Sequence, residues 1–187
     1  MRSTLIRSRL QQLLNLGLVG FMAVVGWSCL NPFAPTLDKS NLAADLITDQ
    51  SSPEEVLTNF KYAYIFRDSL LYADLLDSSF VFQYFDPDQG ASGIFVSWTR
   101  ETDLKATGRL LRTFDAVNLE WLNTINPDTL RNDTGTIESI SFSRSFQLNL
   151  ASSGFQFSVS GFALFTFRQS KADDRWRIVL WVDKSDL

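Results

Sequence analysis

Histidine is absent from the sequence, and cysteine occurs once, as Cys29. Without histidine the chain lacks the commonest general base, the Ser–His and Cys–His nucleophile pairs and the commonest ligand of transition metals. A single cysteine excludes an intrachain disulfide and a cysteine-based zinc cluster. We therefore predict no metal site, and we assign no cofactor.

The sequence also lacks a cluster of Lys and Arg residues, and its net charge is −4. A nucleic-acid-binding domain needs a basic face, so we expect no nucleic-acid partner. Apolar residues make up 45% of the 187 residues, and 16 of them are Phe. This composition favours a folded domain over disorder, because it supplies enough apolar surface to form a core.

The N-terminus divides into three zones. Arg2, Arg7 and Arg9 precede an apolar run over 13–25, and "GWSC" then ends at Cys29. A positive zone, a short apolar zone and a small residue before the cleavage point are typical of a secretory signal peptide, which we place at 1–28. The alternative is an uncleaved transmembrane span, for which the apolar run is short.

The pair Ser28–Cys29 at the end of this segment resembles the lipobox of bacterial lipoproteins. The resemblance implies cleavage before Cys29, acylation of its sulfur and of the new amine, and a membrane partner reached through this lipid anchor. The implied location is the bacterial cell envelope. Leu30, rather than Asp, after the cysteine resembles the outer-membrane sorting preference. A buried free thiol is the alternative for Cys29.

Residues 29–51 contain two prolines and several Asp, Asn and Ser residues, which predicts a flexible tether. A single domain over 52–187 then begins with a helix, because Ser52 can cap it, Pro53 suits its first position and Glu55 completes a capping box.

Hydrophobic spacing predicts a second helix with Asp68 or Ser69 as its N-cap and a third helix over 99–114, with Glu101 and Asp103 in a solvated first turn. We expect loops at 87–93 and 124–135, of which the second should be the least ordered part of the domain. The predicted strands are 79–86, 116–123, 136–150, 154–169 and 174–183.

The order of these elements predicts an α+β fold in which N-terminal helices pack on one face of a curved antiparallel sheet. The opening "SPEEVLTNFKYAYIFRD" and the closing "DRWRIVLWVD" resemble the nuclear transport factor two-like superfamily, including the SnoaL-like proteins. This resemblance implies a cone-shaped α+β barrel whose cavity can bind a small molecule. Some relatives of this kind are isomerases, dehydratases or hydrolases.

Four residues are candidates for such a cavity: Tyr84, Arg144, Trp181 and Asp183. Arg144 is the lone charge on an apolar strand face, so it either binds an anion in the cavity or extends its head into water from a packed stem. Asp183 is in phase with Trp181 and is either a pocket acid or a polar strand end. Tyr84 either faces the cavity or belongs to the core.

Both faces of the strand 154–169 are apolar near 161–166, because Phe162 and Leu164 interrupt its polar phase there. Either this strand is covered on both sides, or its outer face meets a partner. Relatives with the resembling fold often dimerise through the sheet, which implies a possible homodimer.

Two functions remain open from the sequence. The first is a lipid-anchored cell-envelope protein whose domain binds a small ligand or a protein partner without catalysis. The second is a small-molecule isomerase, dehydratase or hydrolase that uses a carboxylate, a tyrosine and an arginine in the cavity. The sequence assigns no catalytic residue.

Overall fold

A computed structural model describes residues 44–185. The signal peptide, Cys29 and most of the predicted tether lie outside these residues. Within them, no helix is both long and apolar enough to cross a membrane.

Three α-helices follow a short 3-10 turn at Ala44–Leu46: α1 at Pro53–Ile65, α2 at Ser69–Leu75 and α3 at Arg100–Thr113. The hydroxyl of Ser52 accepts a hydrogen bond from the Glu55 N–H at 3.3 Å, and Pro53 occupies the first turn of α1. The carboxylate of Asp68 caps α2 by accepting from two backbone N–H groups. Both predicted helix starts are confirmed.

Six strands form one sheet in the order β2-β1-β6-β5-β4-β3. Four neighbouring pairs are antiparallel, whereas β1 and β6 run parallel, so the sheet is mixed. Register shifts interrupt three of the pairs, and such irregularities bend a sheet. The strands are β1 at Leu76–Asp86, β2 at Ile94–Thr99, β3 at Ala116–Arg131, β4 at Ile137–Ser152, β5 at Phe155–Gln169 and β6 at Trp176–Ser185.

Two strand segments differ from the prediction. The short strand β2 was not predicted, yet it pairs with β1 and sets Trp98 opposite Phe82. The expected loop at 124–135 was wrong over 124–131, which continue β3. Pro127 is tolerated there because β3 is the edge strand, and register shifts near it absorb the irregular pairing.

The core lies between the helices and one face of the sheet, and Phe60 of α1 is at its centre. Its ring makes edge contacts with Tyr72, Trp121 and Trp181 at centroid distances of 5.3, 5.4 and 5.5 Å. Edge-to-face pairs of this kind stabilise a core beyond the area that they bury. The helices therefore hold aromatic side chains against the sheet.

Residues 48–50, which we name the N-terminal strap, pack on the domain although they were expected in the tether. The Thr48 N–H donates to Asn59 Oδ1 at 2.8 Å, and Asn59 Nδ2 donates to the Thr48 carbonyl at 2.9 Å. The carbonyl of Gln50 accepts from the Trp176 N–H at 2.8 Å, and Gln50 is fully buried. The strap thus ties α1 to the start of β6.

Candidate functional site

A cavity of about 310 Å³ lies between α1, α3 and the inner face of the sheet. Its walls are mostly hydrocarbon, as in small-molecule sites generally. Aromatic rings from both helical and sheet elements dominate the lining: Phe60, Tyr64, Phe82, Trp98, Trp121, Phe146 and Trp181.

Asp103 is the first of two carboxyl groups in this cavity. It lies in the first turn of α3 and is only 2% exposed, so the expectation of a solvated residue was wrong. Its Oδ2 accepts a hydrogen bond from the Tyr72 hydroxyl at 2.6 Å, and its Oδ1 accepts from Trp98 Nε1 at 3.1 Å. Burial raises the pKa of Asp103, although these two hydrogen bonds act in the opposite direction.

The helical spacing contains the signal for this placement. Asp103 precedes Thr107 by four positions and Leu110 by seven, so all three lie on one face of α3. Thr107 and Leu110 both line the cavity. The place of Asp103 in the first helical turn had suggested a solvated residue that complements the helix dipole, but its phase on the helix decides its environment.

Asp183 is the second carboxyl group, and it lies near the end of β6. Its Oδ1 accepts from the Ser185 N–H at 3.0 Å, and its Oδ2 accepts from the Ser185 hydroxyl at 2.9 Å. Burial raises the pKa of Asp183, and the hydrogen bonds from Ser185 limit this rise. Asp183 therefore faces the cavity and also forms a local turn at the strand end.

Two buried tyrosines stand beside these carboxyl groups. Burial raises the pKa of Tyr64, and the negative charges of Asp103 and then Asp183 raise it further. Burial also raises the pKa of Tyr72 well above its ordinary value, with Tyr64 and Asp103 adding to the effect. Both phenols are therefore neutral hydrogen-bond donors, and only Tyr64 lines the cavity itself.

The sequence candidates occupy three different places. Trp181 and Asp183 both line the cavity. Tyr84 lies in an adjacent depression of about 610 Å³. This depression and the cavity share four lining residues, Phe82, Trp98, Asp183 and Ser185.

Arg144 is not among the residues that line the cavity. Its guanidinium forms an ion pair with Glu54 at the start of α1 and lies 5.6 Å from the centre of the Phe142 ring. The side chain is 13% exposed, so the stem is packed while the charge is paired. Arg144 therefore links β4 to α1 through its ion pair with Glu54.

The polar groups of the cavity support proton transfer or hydrogen bonding. A carboxyl group in an apolar site can act as a base or an acid near neutral pH, and a neutral phenol can donate a hydrogen bond. Across residues 44–185, no group of three or more His, Cys, Asp or Glu side chains is placed to hold a metal ion.

No family model matches the sequence, and no curated protein matches it either. Solved structures do resemble the domain. A proposed dehydratase of the NTF2-like family from Streptomyces avermitilis is 13% identical with a TM-score of 0.51, and the match covers 72% of this chain and 93% of that one.

Two further structures show the same likeness. A proposed scytalone dehydratase from Novosphingobium aromaticivorans is 12% identical with a TM-score of 0.53, and the match covers 72% of this chain and 81% of the other. A conserved protein from Planctomyces limnophilus is 13% identical with a TM-score of 0.53, with 71% and 92% covered. The described domain therefore has the cone-shaped α+β fold of nuclear transport factor two-like proteins.

Proposed function

We propose that the domain binds a small, largely apolar molecule in the cavity. The observation that carries this proposal is an aromatic cavity of about 310 Å³ with two carboxyl groups, Asp103 and Asp183, in its wall. Aromatic walls supply most of the binding free energy in such sites, and a few polar groups orient the ligand.

The neutral fluorescent probe N-phenyl-1-naphthylamine tests this proposal, because its emission rises in an apolar pocket. We expect saturable binding to the domain. Ala106 and Arg109 are both exposed on α3, but only Ala106 lines the cavity. Ala106→Trp should weaken binding about tenfold by narrowing the cavity, and the matched Arg109→Trp should leave it unchanged. Equal affinities for both variants, or no saturable signal, would overturn the proposal.

A second candidate function is catalysis of proton transfer, of the isomerase, dehydratase or hydrolase type. The observation that favours it is the hydrogen-bonded Tyr72–Asp103 pair beside Asp183 and the neutral Tyr64 phenol. A carboxyl group whose pKa is raised by burial can take a proton from a carbon next to a carbonyl, while a phenol donates to the carbonyl oxygen.

Deuterium incorporation from D2O into a panel of cyclic and aryl ketones tests this second function. We expect incorporation above the buffer rate, and its loss in Asp183→Asn with probe binding retained. If no ketone exchanges faster than in buffer, the domain binds without this catalysis.

We also propose that the mature chain is anchored to the bacterial cell envelope, at the outer membrane, by acyl chains on Cys29. The three upstream arginines, the apolar run at 13–25 and the pair Ser28–Cys29 support this proposal. Mass spectrometry of the mature N-terminus should find residue 29 at the terminus with added acyl mass. Cys29→Ser should abolish that mass. An intact, unacylated 1–29 segment would contradict the anchor.

The outer face of β5 supports a further proposal, a homodimer formed through the sheet. Phe162 is 43% exposed there, next to Leu164 two positions further along the same face. Light scattering of residues 30–187 should give twice the monomer mass, and Phe162→Lys should give the monomer mass. A monomeric parent protein would contradict the homodimer.

A further inference from the structure

The two carboxyl groups of the cavity have hydrogen-bond donors but no counter-charge. Four donors are directed at their oxygens: the Tyr72 hydroxyl and Trp98 Nε1 at Asp103, and the N–H and hydroxyl of Ser185 at Asp183. These four hydrogen bonds favour the ionised form of each carboxyl group and oppose the effect of burial on its pKa.

Across residues 44–185, none of the six ion pairs includes Asp103 or Asp183. Lys184 follows Asp183 directly and borders the adjacent depression that Asp183 also lines, yet no ion pair joins the two side chains among the described residues. A charge in an apolar site without a partner is costly, because protein dipoles replace its hydration incompletely. When these carboxyl groups are ionised, the cavity therefore holds negative charge that its own residues do not neutralise.

The rings around these carboxylates also favour positive charge. The faces of aromatic rings carry a partial negative charge that attracts ammonium groups, and Trp is the most effective of them. Three of the five tryptophans of the chain, Trp98, Trp121 and Trp181, line this one cavity. Aromatic cages built in this way bind quaternary and alkylated ammonium ligands.

We infer that the ligand of this cavity is a small organic cation, an amine or a quaternary ammonium, whose charge lies against Asp103 and Asp183 and whose carbon skeleton contacts the tryptophan rings. This inference rests on the proposed small-molecule site and names its ligand class. Burial raises the pKa of each carboxyl group. A bound cation would stabilise the ionised forms and lower both pKa values again.

A pair of soluble isosteres tests the charge alone. Choline and 3,3-dimethylbutan-1-ol have the same shape and differ in a quaternary nitrogen in place of a carbon. Each competes with N-phenyl-1-naphthylamine in the same titration. We expect choline to bind about tenfold more tightly than the alcohol. An uncharged apolar cavity would give the reverse order, because the alcohol is less strongly hydrated than the cation.

Variants then locate the charge. Asp183→Asn keeps the side-chain shape and should weaken choline binding severalfold, while the affinity of the alcohol changes by less than about twofold. Asp128→Asn, on an exposed part of β3, removes the same charge away from the cavity and should alter neither affinity. Thermal unfolding of each variant checks that the fold is retained.

The outcomes separate this inference from the proposed function. If the probe binds and the alcohol competes as well as choline or better, the cavity binds small molecules but the cationic ligand class is wrong. If Asp183→Asn and Asp128→Asn weaken choline equally, the preference comes from net charge and the inference is again wrong. If the probe does not bind at all, the proposed function fails and the inference fails with it.

Discussion

The cavity wall depends on the hydrogen bond between Tyr72 and Asp103. Both side chains are buried, and among residues 44–185 the phenol supplies one of the two hydrogen-bond donors to the carboxylate. A buried charged group that loses a donor keeps its desolvation cost without the compensating interaction. Tyr72 is thus important to the site although it does not itself line the cavity.

Tyr72→Phe should lower the free energy of unfolding by about 1–3 kcal/mol, because it leaves Asp103 with a single donor. Urea denaturation measures this change. Tyr84→Phe is the matched control, since Tyr84 is only half-buried and its hydroxyl has no hydrogen-bond partner among residues 44–185; it should change stability by less than about 0.5 kcal/mol. Equal effects of the two substitutions would show that the Tyr72 hydroxyl has no special role.

Asp183 should give the domain a defined pH dependence. Because burial raises its pKa in the folded state, the folded protein binds the proton more tightly than the unfolded chain. The ionised Asp183 therefore makes its full destabilising contribution only when the pH is above its pKa in the folded state. This destabilising contribution disappears as the pH falls from the folded-state pKa towards 3.8, the ordinary pKa of an Asp side chain.

Urea denaturation of the parent protein and Asp183→Asn between about pH 7 and about pH 4 measures this effect as a difference, which cancels the other acidic groups. The stability of the Asn variant relative to the parent should decrease as the pH falls. A difference that stays constant over this range would contradict the assigned burial effect.

Residue environments were partly predictable from the sequence. Trp181 and Asp183 were placed together by strand alternation, and the structure puts both in the cavity. Asp103 was missed because a carboxylate in a first helical turn is normally explained by the helix dipole. Its donors, Tyr72 and Trp98, come from α2 and β2, and no local pattern in α3 reports these tertiary contacts.

At the scale of elements, the glycines of β5 and α3 have opposite roles. A Cβ at Gly161 would overlap the backbone of Ser185 and lie 3.0 Å from the Lys184 carbonyl oxygen. At Gly108 the nearest atoms belong to the flexible end of Arg112, at 3.4 Å. β5 and β6 therefore approach each other closely only because residue 161 has no side chain, whereas α3 has room for one.

Gly161→Ala should destabilise the domain by about 1–3 kcal/mol, because β6 must move away from β5. Gly108→Ala should stabilise it by about 0.5–1 kcal/mol, because alanine loses less conformational freedom in a helix. Thermal and urea unfolding of the two variants measure both changes. Finding the same sign for the two substitutions would contradict the packing described for one of them.

Elements with strong local signals were predicted well, and elements set by pairing were not. The caps at Ser52 and Asp68 mark α1 and α2 unambiguously. The strand β2 is short, and 124–131 contains Pro, Asn and Asp residues that favour turns. Both segments become strands because a neighbouring strand offers hydrogen bonds. This pairing involves residues distant in sequence, so the residues of the segment itself do not indicate it.

At the scale of the whole molecule, the N-terminal strap joins parts of the domain that are distant in sequence. Asn59 is fully buried and makes three hydrogen bonds with Thr48, and Gln50 bonds to the first residue of β6. The packed structure therefore begins before Ser52, which was predicted as the start of the domain. Polarity alone suggested a tether here, because residues 48–51 are all polar and show no apolar period.

Asn59→Ala should lower the free energy of unfolding by about 2–3 kcal/mol, because it removes three partly buried hydrogen bonds. It should also remove the hydrogen-exchange protection of the Thr48 amide. Thr58→Ala, one position earlier on the same helix, should change stability by less than about 0.5 kcal/mol. Retained protection at Thr48 in Asn59→Ala would show that the strap is held by other contacts.

The strap has a consequence for how far the domain can travel. If acyl chains on Cys29 hold the chain at a bilayer, as proposed, residues 30–47 join the anchor to the strap, and a segment of that length spans at most roughly 60 Å at full extension. A partner held on the same surface within that distance of the anchor would meet the domain at an effective concentration on the order of millimolar. A contact with a dissociation constant on the order of 100 μM, which is negligible in dilute solution, would be mostly occupied there.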